Sequence, residues 1–128
     1  GMTIAQGGDF FSRIVYLHTA MESTVRRLAR NVIDRLAALG HKDIVFVHAD
    51  CYTLAACKAP EYGIKVPFRP IHLVEFLLTT LKQQHAALQP LNRTVAWQRP
   101  CIDRYTPHID PLVDELFDLI GVQRVKRV

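Results

Sequence analysis

Apolar and polar positions alternate along the chain in a way that predicts long helices separated by short strands. In residues 21–39, apolar side chains recur at steps of three and four, and Gly40 follows as a helix stop. Two further helical patterns cover residues 70–88, opened by Pro70, and residues 110–121, where Asp110 is the expected cap and Gly121 the expected stop. Shorter apolar runs at residues 44–47, 64–68, 94–97 and 122–125 predict strands or extended segments, and residues 51–59 predict a short helix.

The order of these elements predicts the fold class. Helices and strands alternate along the chain, which is typical of layered α/β folds with a parallel sheet. We therefore expect a three-layer α/β/α fold with a mostly parallel sheet of about four strands. The length of 128 residues predicts a single domain over residues 1–128.

Two of the predicted strands lead into a cysteine. The strand at residues 44–47 is followed by His48, by Asp50 as a good N-cap, and by Cys51 at the expected helix start. A helix N-terminus stabilises negative charge and so favours a thiolate there. The strand at residues 94–97 leads to Cys101. Because ligands bind at the carboxyl ends of parallel strands, we expect His48, Cys51 and Cys101 to face one crevice.

Each of these side chains also has a purely structural interpretation. Cys51 and Cys101 are candidate ligands or reactive thiols, but a free cysteine is often only a small buried hydrophobic residue. His48 is a candidate metal ligand or a thiol–imidazole partner of Cys51, or else it satisfies a hydrogen bond. Cys57 is expected in the core, and His72 is expected at a helix start that borders the same crevice.

The sequence does not assign a catalytic residue. Two cysteines and one histidine fall short of a closed tetrahedral zinc site. A Cys/His/Asp hydrolase is conceivable from residue types, but the chain contains no nucleophile-elbow motif.

Charge and composition narrow the class of partner and compartment. The net charge of +4 would suit an acidic partner, but Arg26, Arg27 and Arg30 lie near Glu22 and Asp34, so we expect a solvated face and no nucleic acid. The chain has no apolar run near the roughly 18 to 20 residues that span a bilayer. The odd number of cysteines and the lack of a secretory signal predict a reducing, cytoplasmic setting.

The same residues resemble the cysteine-rich CCG domain family, which includes the B-type subunits of heterodisulfide reductases and related iron–sulfur oxidoreductase subunits. The run from Val45 to Tyr52 looks like the closing Cys-x-x-Cys turn of one family repeat, with His48 in place of the first cysteine. Residues 66–77 are similar to the segment that follows that turn. Residues 95–101 look like the opening of the next repeat, and residues 110–122 resemble its helix and Gly-Val strand.

The resemblance implies a function in electron transfer. By position, Cys51 and Cys101 would be ligands of an iron–sulfur cluster, with His48 beside it. The Cys-Cys-Gly motif of the family is absent from the sequence. The resemblance therefore implies a segment of a longer parent protein, with an iron–sulfur cluster in the parent that is incomplete or absent within this segment alone. The implied partners are the rest of the parent chain and a redox partner subunit or flavoprotein. The alternatives are a cluster-less α/β binding or assembly domain and a thiol enzyme that uses Cys51 and His48.

Overall fold

The computed structural model describes residues 1–84 and 88–125 and confirms the α/β class. The helices are α1 (Glu22–Ala37), α2 (Ala49–Thr53), α3 (Ala59–Glu61), α4 (Leu73–Gln83) and α5 (Ile109–Leu119). The strands are β1 (Asp43–Phe46), β2 (Arg69–His72), β3 (Arg93–Val95) and β4 (Val122–Arg124). A π-helical turn (Leu54–Lys58) joins α2 to α3, and 3-10 helices cover Gly8–Phe10, Ile14–Thr19 and Cys101–Tyr105. The predicted continuation of α4 to residue 88 passes through residues 85–87, which lie outside the described residues.

The chain divides into two compact units, residues 1–71 and residues 72–128. The first unit contains α1, β1 and the helical segment from α2 to α3, and the second contains α4, β3, α5 and β4. Each unit is described below by itself. The single domain expected from the chain length stays a prediction.

The predicted single sheet of four strands is not confirmed, because the four strands form two separate two-stranded sheets. β1 pairs with β2, and β3 pairs in parallel with β4, with Arg93 opposite Val122 and Val95 opposite Arg124. Strands inside a three-layer fold are buried on both faces. Arg93 and Thr94 are exposed instead, so β3 lacks the apolar faces of a central strand. The three-layer arrangement stays a prediction.

Pro70 lies in β2 and does not open a helix, so its predicted role is wrong. The Arg69 N–H donates to the Lys42 carbonyl (2.7 Å), and the Arg69 guanidinium binds Asp43 (2.8 and 3.0 Å). Both contacts tie the start of β2 to the start of β1. Successive N–H groups of a strand point to opposite sides. The Pro70 nitrogen, which carries no hydrogen, therefore faces away from β1.

The core of the first unit is built on the apolar stripe of α1, as its periodicity predicts. The buried members of the stripe are Val25, Ala29, Val32, Ile33 and Leu36, and Ile14 and Leu54 are buried as well. Burial of each large aliphatic side chain contributes about 1.5–3 kcal/mol. Leu39 is exposed because α1 ends at Ala37, and Gly40 adopts the left-handed φ of +71°. Among the described residues, no helix has both the length and the apolar character needed to cross a bilayer.

The core of the second unit joins α4 to α5. Leu78 of α4 and Val113 and Leu116 of α5 are buried, and Lys82 forms an ion pair with Glu115. The ring of Trp97 meets the ring of Phe117 edge-on, with centroids 5.9 Å apart. These contacts anchor the segment after β3 to α5.

The start of α5 differs from the prediction. His108 occupies the N-cap position, and Asp110, which was expected to cap, makes no capping hydrogen bond. β4 places the Arg124 guanidinium beside α5, where it binds Asp110 (3.2 Å) and Asp114 (2.7 Å). The Asp110 carboxylate is therefore engaged in an ion pair. Gly121 ends the helical segment with a φ of +69°, as expected.

Candidate functional site

Cys51 lies in the first turn of α2, close to where the sequence predicts it. The helix begins at Ala49 with His48 as N-cap, so the prediction that Asp50 is the cap is wrong. The backbone N–H groups of Cys51 and Tyr52 both donate to the His48 carbonyl (3.1 Å each). Cys51 is thereby the third helical residue, and only 9% of its surface is exposed. The thiol is a small buried group at the start of a helix.

The His48 imidazole points to solvent and not to the thiol. Its side chain is 56% exposed, and its Nδ1 lies 4.0 Å from the Asp50 carboxylate. The centroid of its ring lies 5.4 Å from the centroid of the Phe11 ring, with the two rings inclined at 65°. Among the residues that the structure describes, no hydrogen bond joins His48 to the thiol of Cys51. This arrangement does not form the thiol–imidazole pair that activates a cysteine nucleophile.

Cys57 lies in the π-helical turn and is half-buried. Burial raises the pKa of the Cys57 thiol, the negative charge of Glu61 raises it further, and Lys58 lowers it. A raised pKa favours the protonated thiol, which is a poor metal ligand and a poor nucleophile. Cys57 is thus not among the buried core residues where the sequence predicted it.

Cys101 is exposed at the start of the 3-10 helix that covers Cys101–Tyr105. The turn is held by hydrogen bonds from the Asp103 N–H to the Pro100 carbonyl (3.1 Å) and from Arg99 to the Asp103 carbonyl (3.3 Å). The Asp103 side chain is buried. The backbone that presents the Cys101 thiol is therefore well ordered by local bonds.

The two candidate cysteines belong to different units, Cys51 to the first and Cys101 to the second. Their predicted convergence with His48 on one crevice stays a prediction. Within residues 1–84 and 88–125, no group of three or more histidine, cysteine or acidic side chains is arranged to hold a metal ion. Because iron–sulfur clusters are usually held by four cysteines, the described residues do not fit a complete cluster.

His72 has a capping role that sequence reasoning missed. It is the N-cap of α4, and its ring Nδ1 accepts a hydrogen bond from the backbone N–H of Val74 (3.2 Å). The backbone N–H of His72 donates to the Glu75 carboxylate (2.7 Å). An Nδ1 that accepts requires the proton of the neutral ring on Nε2. Burial lowers the pKa of His72, Glu75 raises it, and His108 lowers it. The neutral imidazole is the form that the cap uses.

A basic groove on α1 is the second feature that sequence reasoning missed. It has a volume of about 740 Å³ and is lined by Arg26, Arg27 and Arg30 together with Tyr62, which follows α3. The Arg26 guanidinium lies 5.0 Å from the centre of the Tyr62 ring. The spacing of the arginines was visible in the sequence, but the distant tyrosine that completes the groove was not.

Comparison with known proteins finds a distant similarity. The chain is 29% identical over 83 residues to the D-type subunit of the dihydromethanophenazine:CoB–CoM heterodisulfide reductase of Methanosarcina mazei. The match covers 63% of this chain and 20% of that protein, so the chain spans about a fifth of the length of this relative. No family model matches the chain, and no solved structure matches it. The chain is thus distantly similar to a heterodisulfide reductase subunit.

Proposed function

We propose that this chain is part of an electron-transfer oxidoreductase of the heterodisulfide reductase type. The observation that carries the proposal is the similarity to the reductase subunit of Methanosarcina mazei, which extends over 83 residues. The α/β class supports it, as does the position of Cys51 in the first turn of the helix that follows β1. In this proposal the chain acts within a larger protein and together with a redox partner subunit or flavoprotein.

The proposed contribution of the chain to an iron–sulfur cluster is two thiolates, from Cys51 and Cys101. The described residues do not make a complete site, so the other ligands are proposed to come from further segments of the parent protein or from a partner subunit. His48 lies at the N-cap beside Cys51 and is the third candidate ligand. All three cysteines are free thiols, which suits the reducing cytoplasm proposed for the protein.

The test is anaerobic reconstitution of the full-length natural protein with iron and sulfide. Bound iron and sulfide would be assayed, and visible and EPR spectra recorded, for the wild type, Cys51→Ala and Cys101→Ala. Cys57→Ala is the matched control, because it also removes one thiol but one that is half-buried and held protonated. The proposal expects iron to be lost in the first two variants and kept in the control.

Other outcomes would contradict the proposal. A wild type without iron would favour the cluster-less binding or assembly domain. Equal iron in Cys51→Ala and wild type would remove Cys51 from the ligand set. Alkylation of Cys51 that is faster than that of exposed Cys101, and slowed by His48→Ala, would favour the thiol enzyme.

A further inference from the structure

The groove on α1 concentrates positive charge that local ion pairs do not neutralise. Arg26 and Arg30 are four residues apart, and Arg27 and Arg30 are three apart, so their guanidinium groups are neighbours on the helix surface. Neither Arg27 nor Arg30 has an ion-pair partner among the residues that the structure describes. By contrast, Arg35 on the same helix pairs with Asp9. Like charges at these spacings destabilise a helix, and a bound anion would offset that repulsion.

The lining of the groove favours phosphate as the anion. Each guanidinium presents a planar fork of donors that matches phosphate oxygens. Ser23 and Asn31 also line the groove and add a hydroxyl and an amide. The groove is open to solvent, and its volume of about 740 Å³ has room for a ligand larger than a single phosphate ion.

The charge pattern along the groove indicates a ligand with two different ends. The arginines lie in the second and third turns of α1, whereas Glu22 lines the groove in the first turn. At a rise of about 1.5 Å per residue, Glu22 lies about 6 Å along the helix axis from Arg26 and about 12 Å from Arg30. A continuous polyanion would meet the carboxylate at one end. A ligand with phosphates at one end and hydroxyl groups at the other would find an acceptor there.

We infer that this groove binds a nucleotide, with its phosphates on Arg26, Arg27 and Arg30 and its sugar hydroxyls toward Glu22. The cation–π contact with Tyr62 holds the Arg26 guanidinium at the groove wall, which reduces the ordering that binding requires. This site lies in the first unit and does not depend on the proposed electron-transfer function.

The experiment measures binding of ATP to the full-length natural protein by isothermal titration calorimetry, with tripolyphosphate and adenosine as separate probes. Arg27→Gln and Arg30→Gln are each expected to weaken ATP binding about 5- to 10-fold, because each removes one charge-assisted contact in an open groove. Arg93→Gln is the matched control, since Arg93 is an exposed arginine of β3 outside the groove, and it should leave the affinity unchanged.

Glu22→Gln separates a nucleotide from a simple phosphate. It should strengthen tripolyphosphate binding, because a repulsive charge is removed. The ratio of the affinity for ATP to the affinity for tripolyphosphate should therefore decrease. The inference is overturned if ATP does not bind, or if Arg93→Gln weakens binding as much as the groove variants. It is also overturned if tripolyphosphate matches ATP in the wild type, or if a single-stranded RNA oligomer binds more tightly than ATP through the same arginines. Circular dichroism would establish that each variant is folded.

Discussion

Substitution of Gly121 by alanine tests how closely the end of α5 approaches the segment before β3. A Cβ atom at Gly121 would lie 2.7 Å from the Pro90 Cβ and 3.0 Å from the Pro90 Cα. The Leu91 N–H donates to the Ile120 carbonyl (2.9 Å), which holds the two segments together. Gly40 has nearly the same left-handed φ, +71° against +69°, but nothing within 4 Å of its added Cβ. The two glycines therefore share a backbone conformation but differ in the close approach of Pro90.

The structure gives an expected cost for each variant. An alanine in the left-handed region destabilises the folded state by about 1–2 kcal/mol. Alanine also has less conformational entropy than glycine in the unfolded chain, which stabilises the fold by about 0.4–1 kcal/mol. Gly40→Ala should therefore lower the free energy of unfolding by about 1 kcal/mol. Gly121→Ala adds an overpacking cost of about 1–3 kcal/mol, because the atoms it meets belong to a rigid proline ring and its backbone. We expect a total of about 2–4 kcal/mol.

Urea unfolding of the chain, followed by circular dichroism, measures both variants. Trp97 is the single tryptophan of this sequence and packs on Phe117 of α5, so its fluorescence reports Gly121→Ala within the second unit. If Gly121→Ala costs no more than Gly40→Ala, the close approach to Pro90 does not exist in solution. In a Pro90→Gly background, part of the cost of Gly121→Ala should disappear.

Two further predictions concern titratable groups. The pKa of His72 is lowered in the folded state, so its contribution to stability is present above the unfolded pKa of about 6.5 and is lost as pH falls below it. His72→Asn keeps a good cap and should make the free energy of unfolding depend less on pH between about pH 8 and about pH 5.5. His41→Asn, which replaces an exposed histidine, should leave that pH dependence unchanged, and equal slopes in the two variants would refute the prediction. Iodoacetamide should modify exposed Cys101 before Cys57, because the raised pKa of Cys57 limits the fraction of thiolate. Peptide mass spectrometry should show that the difference between the two modification rates decreases as the pH is raised. Faster modification of Cys57 than of Cys101 would contradict the burial described for Cys57.

The sequence was most informative about the helices. The buried stripe of α1 and the stops at Gly40 and Gly121 follow from local rules of periodicity and backbone conformation. The α/β class follows from the order of elements. These features depend on residues close together in the chain, so one sequence contains enough information to predict them.

Local rules failed at the exact start of three helices. Asp110 is a good cap by type, but Arg124 of β4 binds its carboxylate. Pro70 is a good first helical residue, but the capping pair of His72 and Glu75 starts α4 later. Asp50 makes no capping hydrogen bond, since the helix begins one residue before it. Of these three exceptions, the one at Asp110 involves a residue distant in the chain, Arg124.

The candidate sites were predictable to different degrees. The strand-to-helix position of Cys51 was visible in the sequence, although its burial and the outward direction of His48 were not. The groove needs Arg26 and Tyr62 to meet, and these residues are far apart in the chain. No pattern of local spacing reveals such a contact.

The placement of Pro70 has a consequence for self-association. β2 pairs with β1 alone among the described strands, and the unpaired edge of a strand can pair with a strand of another chain. The two outward backbone positions of β2 are residues 70 and 72. Pro70 has no N–H, and the N–H of His72 is already bound by Glu75. A strand from another molecule would find no free amide donor at these two positions, so Pro70 and the hydrogen bond between His72 and Glu75 oppose the addition of a strand next to β2.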